Sequence, residues 1–203
     1  PIYPVHADMM EACSMVSPTF LVNVVVNDDQ QVIAAFAGNW ITAHRAACDL
    51  VDRMYGVPAK EKTPLVIASA GGFPKDLNFY QTIKTLSNAL EVVDEGGTII
   101  LVTRSQEGFG NGDTQRQIAG FATMVEREKD LRENFSIGAF IGYLFAESAE
   151  KYHMIVVTGM DQADFGTSKI HVVKTLDQAL ALSRELNGGK DLRATLMPHG
   201  ANT

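Results

Sequence analysis

Two cysteines, Cys13 and Cys48, are all that the 203 residues contain, and no CxxC spacing is present. A cysteine-rich zinc module or disulfide scaffold is thereby excluded. The pair reads as two small buried side chains in a reducing compartment, with a disulfide between them left open. Basic residues are also scarce: 17 Lys and Arg stand against 24 Asp and Glu, for a net charge of -7. That balance argues against general nucleic-acid binding, which needs clustered cations. No apolar run approaches the roughly 18 residues of a membrane span, and no charged-then-apolar leader starts the chain, so a cytoplasmic protein without a membrane partner is expected. The five histidines, His6, His44, His153, His171 and His199, show neither HxH nor HExxH, and the chain alone is expected to hold no metal. Ser69 lacks the GxSxG pattern, so hydrolase chemistry has no support. There is no Walker A motif, dinucleotide fingerprint, internal repeat or low-complexity segment.

What is present is an ordinary globular composition, 46% hydrophobic and 20% charged. The length suits one core, or one domain and part of another. A helix is predicted over 6–16, then a hairpin from strands 20–26 and 32–36 joined by Asn27-Asp28-Asp29-Gln30, then a helix over 40–55 ended by Gly56 and Pro58. The proline-bracketed polar stretch 58–64 is the best boundary. It divides a small α+β segment, 1–60, from a domain over 61–203.

In that domain apolar strands at 65–70, 98–103, 154–158, 194–197 and near 170–173 alternate with helical patterns at 77–93, 114–133, 138–152 and 176–187. The expected fold class is therefore α/β: a mostly parallel sheet between helices, in three layers, with right-handed crossovers. Ligands in such sheets sit beyond the C-terminal strand ends.

The run 69–84 joins a strand to a helix through Gly71-Gly72. The glycines let the backbone turn sharply and approach a ligand, Pro74 fixes the chain, and Asp76 is the expected N-cap. Unpaired N–H groups there would favour a carboxylate or another anion. On the helix Leu77, Tyr80, Ile83, Leu86, Leu90 and Val93 make an apolar side, while Gln81, Lys84 and Asn88 share a polar stripe. An amide and an ammonium three residues apart suit the carboxylate of a small hydroxy acid. From spacing alone the stripe reads better as an ordinary solvated surface. The Gly-rich loop 105–112 reads equally as a phosphate cradle and as a plain connection, and Glu107 would repel phosphate.

Several motifs in order, Asn23-Val24-Val25-Val26-Asn27, Ala35-Phe36-Ala37-Gly38 with Ala43-His44-Arg45, Gly71-Gly72-x-Pro74-x-Asp76, Tyr80-Gln81-x-x-Lys84, Gly96-Gly97-Thr98-Ile99-Ile100, Glu107-Gly108-Phe109-Gly110 and Met197-Pro198-His199-Gly200, resemble the C-terminal half of the nickel-dependent lactate racemase family. The resemblance covers nearly the whole chain and defines a superfamily better than one substrate. It implies that Gln81 and Lys84 contact a 2-hydroxy-acid substrate, and that Gly71, Gly72 and Phe140 lie by the cofactor. Relatives place a Trp or His near Phe140, and Phe keeps only stacking of that contact.

The cofactor implied is a nickel pincer nucleotide, through which hydride leaves and returns to C2. Its tethering, ligating and base residues are expected in an N-terminal half outside this sequence. The chain is thus expected to be a fragment, inactive alone and without bound cofactor, with the missing N-terminal lobe as its partner. Residues 1–60 would be the tail of that lobe, and their exposed hairpin a route to homo-oligomers. His44 and Arg45 are assigned to packing, and Trp40 and Phe36 to core or the lobe surface. A non-catalytic domain binding a small carboxylate or phosphate is the alternative.

Overall fold

The computed structural model describes residues 3–27, 29–59 and 61–202; Asp28 of the expected hairpin turn and Lys60 at the expected boundary lie outside the described residues. The chain forms two compact units, Pro1–Val57 and Pro58–Thr203.

In the first unit, helix α1 (Pro4–Val16) precedes an antiparallel hairpin, β1 (Leu21–Val26) and β2 (Val32–Gly38), and helix α2 (Trp40–Tyr55). Asn39 starts α2 because its side-chain oxygen accepts from the N–H groups of Ile41 and Thr42. The small residues Ala43 and Ala47 let α2 lie close on the hairpin, and they are buried together with Val25. Opposite, Val22, Val24, Val26 and Ile33 remain exposed, as does most of α1. Cys13 is half-buried and Cys48 exposed, and both are free thiols, which corrects the expectation that both are buried. Neither sits where a core needs it, and the Cys48 sulfur meets His44 Nε2 at 3.5 Å.

The second unit is a five-stranded, fully parallel sheet in the order β6-β5-β4-β3-β7, built from β3 (Thr63–Ser69), β4 (Val93–Val102), β5 (His153–Val157), β6 (His171–Val173) and β7 (Ala194–Met197). Strand periodicity divides the core in two. Val66, Ala68, Ile99, Leu101, Met154 and Val156 face helices α3 (Ile83–Val92) and α6 (Ile137–Lys151), while Leu65, Ile100 and Ile155 face Ala179 of α7 (Leu176–Leu186). The three-layer α/β expectation is met.

Two helices differ from their predicted form. The pattern over 77–93 starts as bends and a single 3-10 turn, Phe79–Thr82, whose cap is Asn78 and not Asp76: the Asn78 Oδ1 accepts from Gln81 N at 3.2 Å. The Asp76 carbonyl is instead used by Ser105 N at 2.8 Å. The pattern over 114–133 is two helices, α4 (Gly112–Ala119) and α5 (Met124–Glu133). Thr123 and Glu126 form a capping box that restarts the helix. The buried Arg127 then donates to the carbonyls of Gln117 (2.8 Å) and Ile118 (2.9 Å), at the end of α4. Burial holds the Arg127 guanidinium below its usual pKa.

Candidate functional site

From β3 through β6 the sheet grows outward in one direction, with α3 to α6 on one face; the chain then returns along the other face through α7 to place β7 against the free side of β3. The topological switch point is therefore between the C-terminal ends of β3 and β7. Gly71 and Gly72 follow β3 there, and Pro198-His199-Gly200 follow β7.

Three contacts fix this crevice. Gly200 N donates to Ser69 O at 2.8 Å, Asn88 Nδ2 donates to Gly200 O at 2.8 Å, and Asn202 N donates to His199 O at 2.9 Å. Gly71 has a φ of +89° and Gly72 of +81°, conformations that favour glycine. A Cβ on Gly71 would lie 3.5 Å from His199 Nδ1 and 4.0 Å from Lys75 Cδ, so the glycine backbone runs between those two side chains. Gly71 N donates to Ser69 Oγ at 3.1 Å, whereas the N–H groups of Gly72 and Phe73 have no acceptor among the described residues.

The glycine turn does not stand alone. The loop after β4 is laced to it: Glu107 N donates to Leu77 O (3.1 Å), Phe79 N to Gly108 O (2.9 Å) and Tyr80 N to Phe109 O (3.1 Å). Beneath, the buried hydroxyls of Thr82, Thr103 and Ser105 form a chain with 3.0 Å steps. Gly110 passes so close to Asn78 that a Cβ would fall 2.3 Å from its Cγ. Phe79, wholly buried, packs against Phe109, Phe145 and Phe165 and pins both loops to the core. The two loops are one preorganised platform.

The predicted residues distribute around it as follows. Gln81 is half-buried and Lys84 exposed, and among the described residues neither side chain has a hydrogen bond or ion pair. Thr85 and Asn88 of α3 both meet Gly200, so their face of the helix is turned to the switch crevice; Lys84 stands one turn before Asn88, and Gln81 lies in the 3-10 turn that leads into the helix. Asn88, the third member of the predicted stripe, is a structural clamp. Phe140 lies in the first turn of α6, 42% exposed. No hydrogen bond or ring contact among the described residues joins it to Gly71, Gly72, Gln81 or Lys84.

A concavity of about 300 Å³ flanks the second loop, lined by Glu107, Gly110, Asn111, Gln115, Met160 and Asp164. Its two carboxylates oppose the phosphate-cradle reading of residues 105–112. Sequence reasoning weighed His199 only as a metal ligand. The available signal was the position of Pro-His-Gly at the end of a strand, on the same sheet edge as the glycine turn.

Comparison with known proteins identifies the family. A family model for the lactate racemase C-terminal domain matches residues 58–203. A lactate racemase of Lactiplantibacillus plantarum is 30% identical over 97% of this chain and 47% of its own length, and one of Thermoanaerobacterium thermosaccharolyticum is 35% identical over 63% of this chain and 28% of its own. The solved lactate racemase apoprotein of Thermoanaerobacterium thermosaccharolyticum superposes with a TM-score of 0.87 at 25% identity, over 98% of this chain and 49% of that one. A Thermotoga maritima structure shares the fold alone, with a TM-score of 0.59 at 15% identity. The chain thus spans about half the length of the L. plantarum relative it matches, and it belongs to the lactate racemase family, whose C-terminal domain occupies residues 58–203.

Proposed function

We propose that this chain supplies the substrate-orienting half of a 2-hydroxy-acid racemase, with Gln81 and Lys84 holding the substrate over the Gly71-Gly72 turn. The observation that carries the reading is an amide and an ammonium with no side-chain partner among the described residues, at the start of the helix that meets the switch crevice of a racemase-family domain. Lys84 would pair with the substrate carboxylate, and the Gln81 amide would donate to the carboxylate or the hydroxyl oxygen. The open N–H groups of Gly72 and Phe73 add positive potential at the same edge. The rigid double loop keeps these donors in place before substrate arrives.

The resemblance points to a nickel pincer nucleotide in the complete enzyme. Among the described residues no three His, Cys, Asp or Glu side chains cluster as metal ligands would, so these residues do not by themselves fit a nickel centre. Substrate binding and exclusion of water are the roles assigned to this chain. Gly71, Gly72 and Phe140 would cover the cofactor, and residues 1–60 would belong to the lobe that carries it. Alone, the chain is expected to show no racemisation.

The test is Lys84→Ala in a complete, cofactor-loaded enzyme carrying this chain. A loss of one charge-assisted contact is expected to raise KM or lower kcat/KM by about tenfold or more. Kinetics equal to those of the unmodified enzyme would remove Lys84 from the site.

A further inference from the structure

The remaining chemistry at the switch crevice is concentrated on the turn after β7. Its backbone is held from three directions. Ser69 O takes the Gly200 N–H, Asn88 takes the Gly200 carbonyl, and Gly200 is packed so closely that a Cβ there would lie 3.0 Å from Thr85 Cγ2 and 3.2 Å from Ser69 O. Such a turn cannot shift without breaking the β3–β7 register, so the residue before it is presented in a fixed place. That residue is His199. Its side chain is exposed, and its Nδ1 comes to 3.5 Å from where a Gly71 side chain would begin. Below it the Thr85 hydroxyl is wholly buried and has no hydrogen-bond partner among the described residues.

We infer that His199 is a third substrate contact, donating from its imidazole to the carboxylate of the 2-hydroxy acid held by Gln81 and Lys84, a step that rests on the racemase reading above. The fold brings the pieces to one edge: Asn88 and Thr85 hold the turn at 199–200 against α3, and Gln81 lies in the 3-10 turn that leads into that helix. The arrangement encloses a carboxylate from two elements at once: α3 on one side, the end of β7 on the other, and the glycine turn as floor. It also gives Gly71 a specific role. Its φ of +89° is one that side-chain-bearing residues rarely adopt, and a Cβ there would come into van der Waals contact with the imidazole.

The experiment uses the 203-residue chain, isotopically labelled, titrated with L-lactate and separately with propionate, which lacks the hydroxyl. Ring carbon-bound protons of His199 are expected to shift with the same midpoint as the side-chain amide of Gln81 for both acids. His199→Ala is expected to weaken L-lactate binding about tenfold, and His199→Gln, which keeps a donor, to recover most of that loss. Lactate that moves Gln81 and Lys84 while His199 stays still, or weaker binding in His199→Ala without any ring shift in the unmodified chain, overturns the direct contact and leaves the two-residue site standing. Shifts at none of the three residues overturn both readings.

Discussion

The two units spend their apolar residues differently. Over 58–203 the sheet is sealed on both faces, and side chains such as Phe79, Phe145, Phe165, Ile99 and Leu101 have no exposure at all. In the first unit Val25, Ala43 and Ala47 are the buried hydrophobics among the described residues, while Val22, Val24 and Ile33 stand exposed on a two-stranded sheet. A two-stranded sheet with one helix packed on it and a second helix, α1, that buries no residue has little apolar surface to stabilise it. The difference is between a unit whose sheet is covered on both faces and a unit whose hairpin keeps one apolar face exposed.

The contrast can be broken most forcefully at Phe79. Phe79→Ala removes a ring that touches three other aromatic rings, and should cost about 3–5 kcal/mol in urea unfolding. Val25→Ala in the first unit should cost only about 1–2 kcal/mol. Equal costs would deny that the second unit dominates stability. Next, the exposed hairpin face should drive association. Light scattering of the chain at high concentration is expected to give a dimer or larger assembly, and Val24→Glu to halve that mass or more. A monodisperse monomer in the unmodified chain would contradict this use of the hairpin.

Smaller effects sharpen the picture inside the second unit. Thr123→Ala removes the capping box of α5 and should cost about 1 kcal/mol, read from the same unfolding curves. The last effect is pH. Asp113 accepts from Ser136 and Arg116, which lowers its carboxyl pKa below the ordinary value. A depressed acid stabilises the fold above its unfolded value and loses that contribution as pH falls through the lowered one. Protection of the α4 amides, corrected for their intrinsic exchange rates, should therefore fall below about pH 4, modestly because the pair is solvent-exposed. Asp113→Asn should remove that pH dependence.

Much of this fold was legible because strands covered on both faces announce themselves as short apolar runs: 65–70, 98–103 and 154–158 each overlap an observed strand. The helix starts were less legible where side chains competed for the same N–H groups. Asp76 and Asn78 are both good caps, and the choice fell to Asn78 because the backbone at 76 is committed to the neighbouring loop. The break at Gly120 was missed, with 114–133 read as one helical segment, although Thr123-x-x-Glu126 is a capping-box sequence that could have marked it. At the proposed site, Gln81 and Lys84 were singled out by the family resemblance, since spacing alone favoured a solvated stripe. His199 could not be, because its place depends on β7 returning beside β3, a pairing between positions more than a hundred residues apart.

Hydrogen exchange with mass spectrometry on the chain, with and without saturating L-lactate, tests the central claim directly. The account predicts protection confined to residues 69–84 and 198–202, the two sides of the switch crevice. Protection centred on 107–115 and 160–164, or none anywhere, would contradict it.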